Sequence, residues 1–309
     1  MSEKLQNDIN LINLKSIKLK TDELRNEIIK TPVIQLHSSY LNKKINNTNF
    51  FLKLECFQHT GTFKARGALS VSKNISIENR EMGITAASAG NHAIASAWAA
   101  KKLGLSAKVI MRSTANPYRL SQTKAEGAEI IIVENVEDIF KEAEMLVKEE
   151  GRTFIHPFEG ISTTLGTAGV GLEFIESIPY LDAVIVSIGG GGLISGIAAA
   201  IKLVNPDCKV YGVEPKGADS MSESFRNGEP VKSANTDTIV DSLAPPMALP
   251  FSYSVCKKFV DEIVTVSDDE ICSSMVTLQE EAKLAVEPAA AATLSAAIGP
   301  LIHKIKNKN

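Results

Sequence analysis

The chain predicts an α/β fold built on open, mostly parallel sheets with flanking helices, and three features carry that prediction. Short β-branched runs alternate with alanine-rich or amphipathic stretches from about residue 83 to 156, and again from about 162 to 266. Such alternation implies parallel pairing through right-handed crossovers. The run Asp182-Ala183-Val184-Ile185-Val186-Ser187-Ile188 has the apolar composition of a parallel strand buried on both faces. Glycines and small polar residues stand at the strand-to-helix junctions, where open parallel sheets collect their ligands.

In chain order, residues 7–30 carry helical periodicity that ends before Thr31-Pro32. An Asn-rich connection at 41–49 leads into an apolar strand at 50–55, read as buried. Then comes Thr60-Gly61-Thr62-Phe63-Lys64-Ala65-Arg66-Gly67-Ala68, continuing as a helix. The first βα series reads as strand 84–87, turn 88–92, helix to Lys102, strand 107–111, helix 117–125, strand 129–133, helix 137–149 and strand 153–156. The second reads as helix 162–176, strand 182–188, a glycine run, helix 193–204 and strand 209–214. Pro245, Pro246 and Pro250 mark an irregular 241–260, followed by strand 262–266 and helices 268–283 and 287–298. No low-complexity linker separates the lobes, so crossings of the chain are expected to join them.

The 309 residues suffice for two lobes or one large unit, and 44% hydrophobic content supplies a sizeable core. A net charge of −3, with the basic residues dispersed apart from the tail Lys304-Ile305-Lys306-Asn307-Lys308, argues against nucleic acid or an anionic membrane as partner. Cys56, Cys208, Cys256 and Cys272 are widely spaced and suit reduced thiols. The polar start from Ser2 to Asp8 lacks the apolar core of a signal peptide, and no apolar run approaches membrane-spanning length. A cytoplasmic protein is expected.

Lys64 stands between an aromatic residue and a helix start. Most lysines are solvated surface amines, but one held at a site mouth can be made nucleophilic by desolvation. The run Gly189-Gly190-Gly191-Gly192 lets backbone N–H groups converge at the start of a helix, a phosphate cradle. A dinucleotide is disfavoured although Glu214 ends the next strand, because the G-x-G-x-x-G spacing meets Ser195 or Ile194 at its last position. No G-x-x-x-x-G-K-[ST] occurs, so a compact monophosphate remains. The turn Ser88-Ala89-Gly90-Asn91-His92 has the same placement; Ser88 can cap the helix, and free N–H groups there suit a carboxylate. Asn91 adds a donor and an acceptor. A nucleophilic lysine, a monophosphate cradle and a carboxylate-binding turn describe a pyridoxal phosphate enzyme acting on an amino acid.

These motifs, together with Glu287-Pro288, stand in the order and spacing of a known family. From about Thr31 to Ala297 the chain resembles the fold type II (tryptophan synthase β-like) pyridoxal phosphate enzymes, in the threonine/serine dehydratase and serine racemase branch. The resemblance implies that Lys64 anchors the cofactor covalently and handles the Cα proton. Phe63 would pack near the cofactor ring, Asn91 would bond its phenolic oxygen, and Gly189, Gly190, Gly191, Gly192 and Leu193 would hold its phosphate. Ser88, Ala89, Gly90, Asn91 and His92 would take the substrate carboxylate, and Glu287 would lie near the cofactor. His156 and Pro157 match a structural junction. The implied architecture is a large domain, 1–77 with 158–309, a small domain, 78–157, and a homodimer.

Several positions depart from the family pattern. Racemase-type members carry a serine at position 89 to protonate the far face of the carbanion; Ala89 has no proton to give, which favours elimination. The family's divalent-cation site maps to Glu214, Ala218 and Ser220, where a serine replaces a carboxylate and Asp219 is adjacent. Thr163-Thr164-Leu165-Gly166-Thr167-Ala168-Gly169 differs from the usual Ala-Gly-Gln-Gly-Thr, and substrate range is expected to differ with it. Relatives continue with a strand whose last residue contacts the pyridine nitrogen; this sequence stops at Asn309, no partner is assigned, and no C-terminal regulatory domain is expected. The expected reaction is β-elimination from a small β-hydroxy amino acid such as threonine or serine, giving a 2-oxo acid and ammonia. Serine racemisation, dehydration of 3-hydroxyaspartate and a non-catalytic phosphate-ligand sensor are the alternatives. Residues 241–256 are expected to line the side-chain end of the pocket.

Overall fold

The computed structural model describes residues 3–45, 48–233 and 236–309. Ser2 of the polar start and Asn46-Asn47 of the expected connection lie outside the described residues. The N-terminal helix is two helices, α1 (Glu3–Asn10) and α2 (Leu14–Leu24). The break follows from Asn13, whose side chain accepts a hydrogen bond from the Ser16 N–H and caps α2 inside what reads as continuous periodicity. Strand β1 (Val33–Leu36), helix α3 (Ser39–Lys44) and strand β2 (Phe50–Lys53) follow. β1 and β2 form an antiparallel hairpin apart from the parallel sheets. β2 is only half-buried, contrary to the buried strand expected, because one of its edges lines the central cavity.

Helix α4 (Lys64–Lys73) leads to a four-stranded parallel sheet of β3 (Ile84–Ala87), β4 (Ala107–Arg112), β5 (Glu129–Val133) and β6 (Thr153–Phe154), in the order β5-β4-β3-β6. Its crossovers are α5 (Asn91–Lys102), α6 (Pro117–Ala125) and α7 (Val136–Glu150). Pro117 occupies the first helical position of α6 and Asn116 caps it, so this helix begins where the sequence places it. The alanines of α5 at 93, 97 and 100 bury the face turned to β3 and β4.

The second parallel sheet, order β7-β8-β9, is made of β7 (Ala183–Ser187), β8 (Lys209–Pro215) and β9 (Glu262–Val266), preceded by helix α8 (Ile161–Ser177) and crossed by α9 (Gly192–Val204). Helices α8 and α9 touch at backbone distance: a Cβ on Gly196 would stand 2.3 Å from the Thr167 hydroxyl. Two further helices follow, α10 (Ser220–Asn227) in a stretch given no element and α11 (Pro250–Phe259) in the stretch read as irregular. Helix α12 (Asp268–Thr277) begins in a capping box at Ser267 and Glu270 and passes into a π turn over Leu278–Ala282, so it is shorter than expected. Helices α13 (Pro288–Ile298) and α14 (Ile302–Ile305) complete the chain. No helix among the described residues is long and apolar enough to cross a membrane.

Beneath α4 lies a buried ionic network. Arg66 is fully buried; its guanidinium donates to Glu55 at 2.8 and 2.9 Å and to Glu173 at 2.8 and 2.9 Å, while Lys53 also pairs with Glu173. Every strong donor there has an acceptor, which is the condition for keeping buried charges tolerable. The network ties the hairpin, α4 and α8 together directly under the residue that opens α4.

Candidate active site

That residue is Lys64. It projects into a cavity of about 1270 Å³ bounded by the hairpin and by the C-terminal ends of strands from both parallel sheets. The lysine is aimed by a tight turn in which Thr60 has φ 62° and Gly61 φ 71°. A β-branched residue in the left-handed region is strained, and the Thr60 hydroxyl is also buried without a partner. Lys64 Nζ donates to the Pro157 carbonyl at 2.6 Å and lies 5.1 Å from the centre of the Phe63 ring. Burial lowers its pKa to about 8, and no carboxylate among the described residues pairs with it to reverse this. The amine is therefore far more readily deprotonated than a surface lysine.

Two imidazoles next to it are held neutral. Burial first, and the Lys64 charge second, lower His92 to about 3 and His156 to about 4. His156 Nδ1 accepts from the N–H groups of Phe158 and Glu159 at 3.2 and 3.0 Å, which only an unprotonated nitrogen can do. His156 thus shapes the turn that delivers the Pro157 carbonyl to Lys64, the structural role expected for this pair.

Gly189, Gly190, Gly191 and Gly192 carry the chain from β7 into α9. Gly191 has φ 93°, a conformation that favours glycine, and the first-turn N–H groups of α9, including that of Leu193, have no acceptor within the helix. The Phe158 ring lies on this loop so closely that a Cβ at Gly190 would stand 2.2 Å from it.

The Ser88–His92 turn joins β3 to α5 and lines the same cavity. Ser88 does not cap the helix as read from the sequence: its hydroxyl accepts from the Gly90 N–H at 3.2 Å, tightening the turn locally, and Gly90 takes the cap position. Asn91 donates through its side-chain nitrogen to both oxygens of Glu287, at 3.0 and 2.8 Å. His92 turns inward and bonds the Ile155 carbonyl at 2.8 Å, so only its backbone can serve a ligand at the turn. Ala89 lines the cavity with a methyl group that carries no exchangeable proton.

Of the residues mapped to a cation site, Glu214 is fully buried and accepts from the Met221 N–H, the Ser222 N–H and the Ser222 hydroxyl at 2.9, 2.7 and 2.6 Å, holding the first turn of α10. Asp219 pairs instead with Arg226, Ala218 N–H bonds Pro215, and the described residues contain no cluster of three or more acidic, His or Cys side chains able to hold a metal. Burial raises the Glu214 pKa to about 7. The segment 163–169 does not line the main cavity; it lies within α8, with Thr163 and Thr167 packed on Gly67 of α4. Of the expected 241–256, residues 241–246 line that cavity and 247–256 do not, since from Pro250 the chain is helix α11.

Sequence reasoning missed the Pro157 carbonyl as the lysine's partner, Phe158 as the lid of the glycine loop, and Arg119. The signal for Arg119 was present: it opens the crossover after β4, at the ligand-bearing end of a parallel strand.

The cavity fits pyridoxal phosphate. A side-chain-free loop at a helix N-terminus stands across from a deprotonable amine, beside an aromatic ring, within one enclosure. Known proteins bear this out. The chain is 47% identical over 256 residues to a phenylserine dehydratase of Ralstonia pickettii, covering 83% of this chain and 78% of that protein. It is 36% identical to an L-threonine ammonia-lyase of Thermotoga maritima, covering 96% and 73%. The structure of maize serine racemase superposes with a TM-score of 0.90 at 32% identity, covering 95% of this chain and 90% of that one. A family model for pyridoxal-phosphate dependent enzymes matches residues 24–308. The cofactor expected from one lysine and two strand-end turns is the one that describes this family, and the chain belongs to the pyridoxal-phosphate dependent enzyme family.

Proposed function

We propose that this enzyme eliminates water from a β-hydroxy amino acid and releases a 2-oxo acid and ammonia, with Lys64 as the catalytic residue. The observation that carries the reading is Lys64 itself, an amine lowered to about 8 in the cavity that also holds the glycine loop and the 88–92 turn. Bound pyridoxal phosphate supplies an electron sink that makes the substrate's Cα proton labile. Phe63 and Asn91 would hold the ring end of the bound group and Gly189 to Leu193 its phosphate, with Glu287, now bonded to Asn91, beside it.

The Ser88–His92 turn holds the substrate carboxylate on its N–H groups. Lys64 would take the Cα proton; the β-hydroxyl would leave as water on a proton from the cofactor phosphate, the donor that the family resemblance implies, and the released enamine hydrolyses in solution. Ala89 supports elimination over racemisation, since it has no proton to return to the opposite face. The relatives named for phenylserine and threonine support a β-hydroxy substrate, and a cavity of about 1270 Å³ accommodates an aromatic side chain as well as a methyl group. Residues 78–157 act in this reading as the smaller unit, which carries the carboxylate turn. A cytoplasmic location, which four free cysteines favour, and a homodimer complete it; light scattering of the purified protein checks the dimer.

The test is a panel of threonine, serine, phenylserine and 3-hydroxyaspartate, scored for 2-oxo acid release and for the chirality of recovered substrate. Release from at least one with unchanged chirality of the remainder is expected. Racemised substrate without 2-oxo acid would replace this reading with the racemase one.

A further inference from the structure

Among the described residues, Arg119 makes the only ion pairs that join the four-stranded-sheet unit to the glycine-loop unit. Its Nη1 stands 2.5 Å from Asp241 Oδ2 and its Nη2 3.7 Å from Glu287 Oε1. The same Nη1 is the heavy atom nearest to where a Cβ on Gly90 would be, at 3.4 Å. The guanidinium therefore lies directly over the turn that opens α5, at the rim of the cavity. The side chain of Arg119 is 19% exposed, whereas those of Asp241 and Glu287 are 66% and 48% exposed. Ion pairs with partners that open to solvent are weakly held and readily exchanged. A carboxylate docked on the N–H groups of the turn, beneath Arg119, offers a better-shielded and bidentate alternative.

We propose that Arg119 is a substrate-binding residue that pairs with the α-carboxylate of the amino acid, exchanging Asp241 for it as the ligand settles on the Ser88–His92 turn. The inference rests on the reading that this cavity takes an amino acid. Asp241 is in this account a competitor: it parks the guanidinium over the turn and yields it.

A competitor and a structural strut make opposite predictions for the two partners. The experiment uses the holoenzyme and its Arg119→Gln, Arg119→Lys and Asp241→Asn variants. Binding of L-alanine, which has no β leaving group, is titrated by the cofactor absorbance, with 2-aminoethanol as the amine without a carboxylate; kcat and KM are measured on the best substrate of the panel. Loss of one charge-assisted contact weakens binding by about 10-fold or more. Arg119→Gln should therefore raise the L-alanine dissociation constant and KM by about 10-fold or more, leave kcat within about 3-fold, and leave 2-aminoethanol binding unchanged. Arg119→Lys should fall between, and Asp241→Asn should tighten L-alanine about 2-fold or more. Equal weakening of L-alanine by Arg119→Gln and Asp241→Asn would overturn the proposal in favour of a strut, as would an Arg119→Gln dissociation constant within 2-fold of the parent. If no member of the panel is turned over while L-alanine binding still depends on Arg119, the inference stands and the elimination reading falls.

Discussion

The molecule uses one device twice, a strand that turns into a helix N-terminus, and builds it in two different materials. After β7 the turn is four glycines, clamped from outside by Phe158 and by the 241–243 segment. After β3 it is Ser88-Ala89-Gly90-Asn91-His92, whose outer contacts are flexible or exposed side chains, Arg119 and Glu287. The first presents only backbone and has no room to shift. The second presents side chains tied by exchangeable charges. A fixed backbone surface suits a group that is always the same, and an adjustable rim suits a ligand that arrives and leaves with every turnover.

The strongest way to break this comparison is to remove what both turns serve. Lys64→Ala should lower turnover by about 10⁴-fold or more and abolish the cofactor's characteristic visible absorbance, while the glycine loop still retains cofactor that dialysis can remove. Full activity in that variant would sink the assignment. Next comes a direct contrast of the turns. Gly190→Ala forces a Cβ to within 2.2 Å of the Phe158 ring, and overpacking of this kind costs about 1–3 kcal/mol. Its Tm and cofactor retention should both fall. Gly90→Ala meets only the flexible end of Arg119 at 3.4 Å and should stay within about 0.5 kcal/mol of the parent, with cofactor retention intact. Equal thermal and cofactor losses in the two variants would erase the distinction between the loops.

A smaller effect concerns pH. His92 and His156 have pKa values of about 3 and about 4, depressed from the ordinary 6.5 chiefly by burial. Below pH 6.5 the unfolded chain binds protons that the folded chain refuses, so stability is lost as pH falls from 6.5 towards 4. Urea midpoints measured across that interval should decline, and His156→Gln should flatten the slope. A flat profile in the parent protein would show that both imidazoles can charge in place.

The sequence made local features legible. Strands 129–133 and 262–266 and helix 117–125 match because alternation, caps and Pro117 are encoded within a few residues. Helix α11 was hidden by prolines that signal a loop, yet Pro250 sits at the first helical position, where it costs nothing. Lys64, the glycine run and the 88–92 turn could be read because each is contiguous. The partners that set their chemistry could not: the Pro157 carbonyl lies 93 residues from Lys64, and Asp241 lies 122 residues from Arg119. For Glu214 the family resemblance offered a cation, while only the fold shows that the first turn of α10 bonds both of its oxygens.

Thr60 sets a limit on how far this protein can be hardened without loss. Its φ of 62° and its unpartnered hydroxyl are two local penalties on the turn that aims Lys64. Thr60→Gly would remove a strain of about 1–3 kcal/mol, offset in part by the larger freedom of glycine in the unfolded chain. A gain in Tm accompanied by a lower kcat would mark Thr60 as a tensioned spring behind the catalytic amine. Selection for heat resistance and selection for turnover would then pull the same peptide in opposite directions.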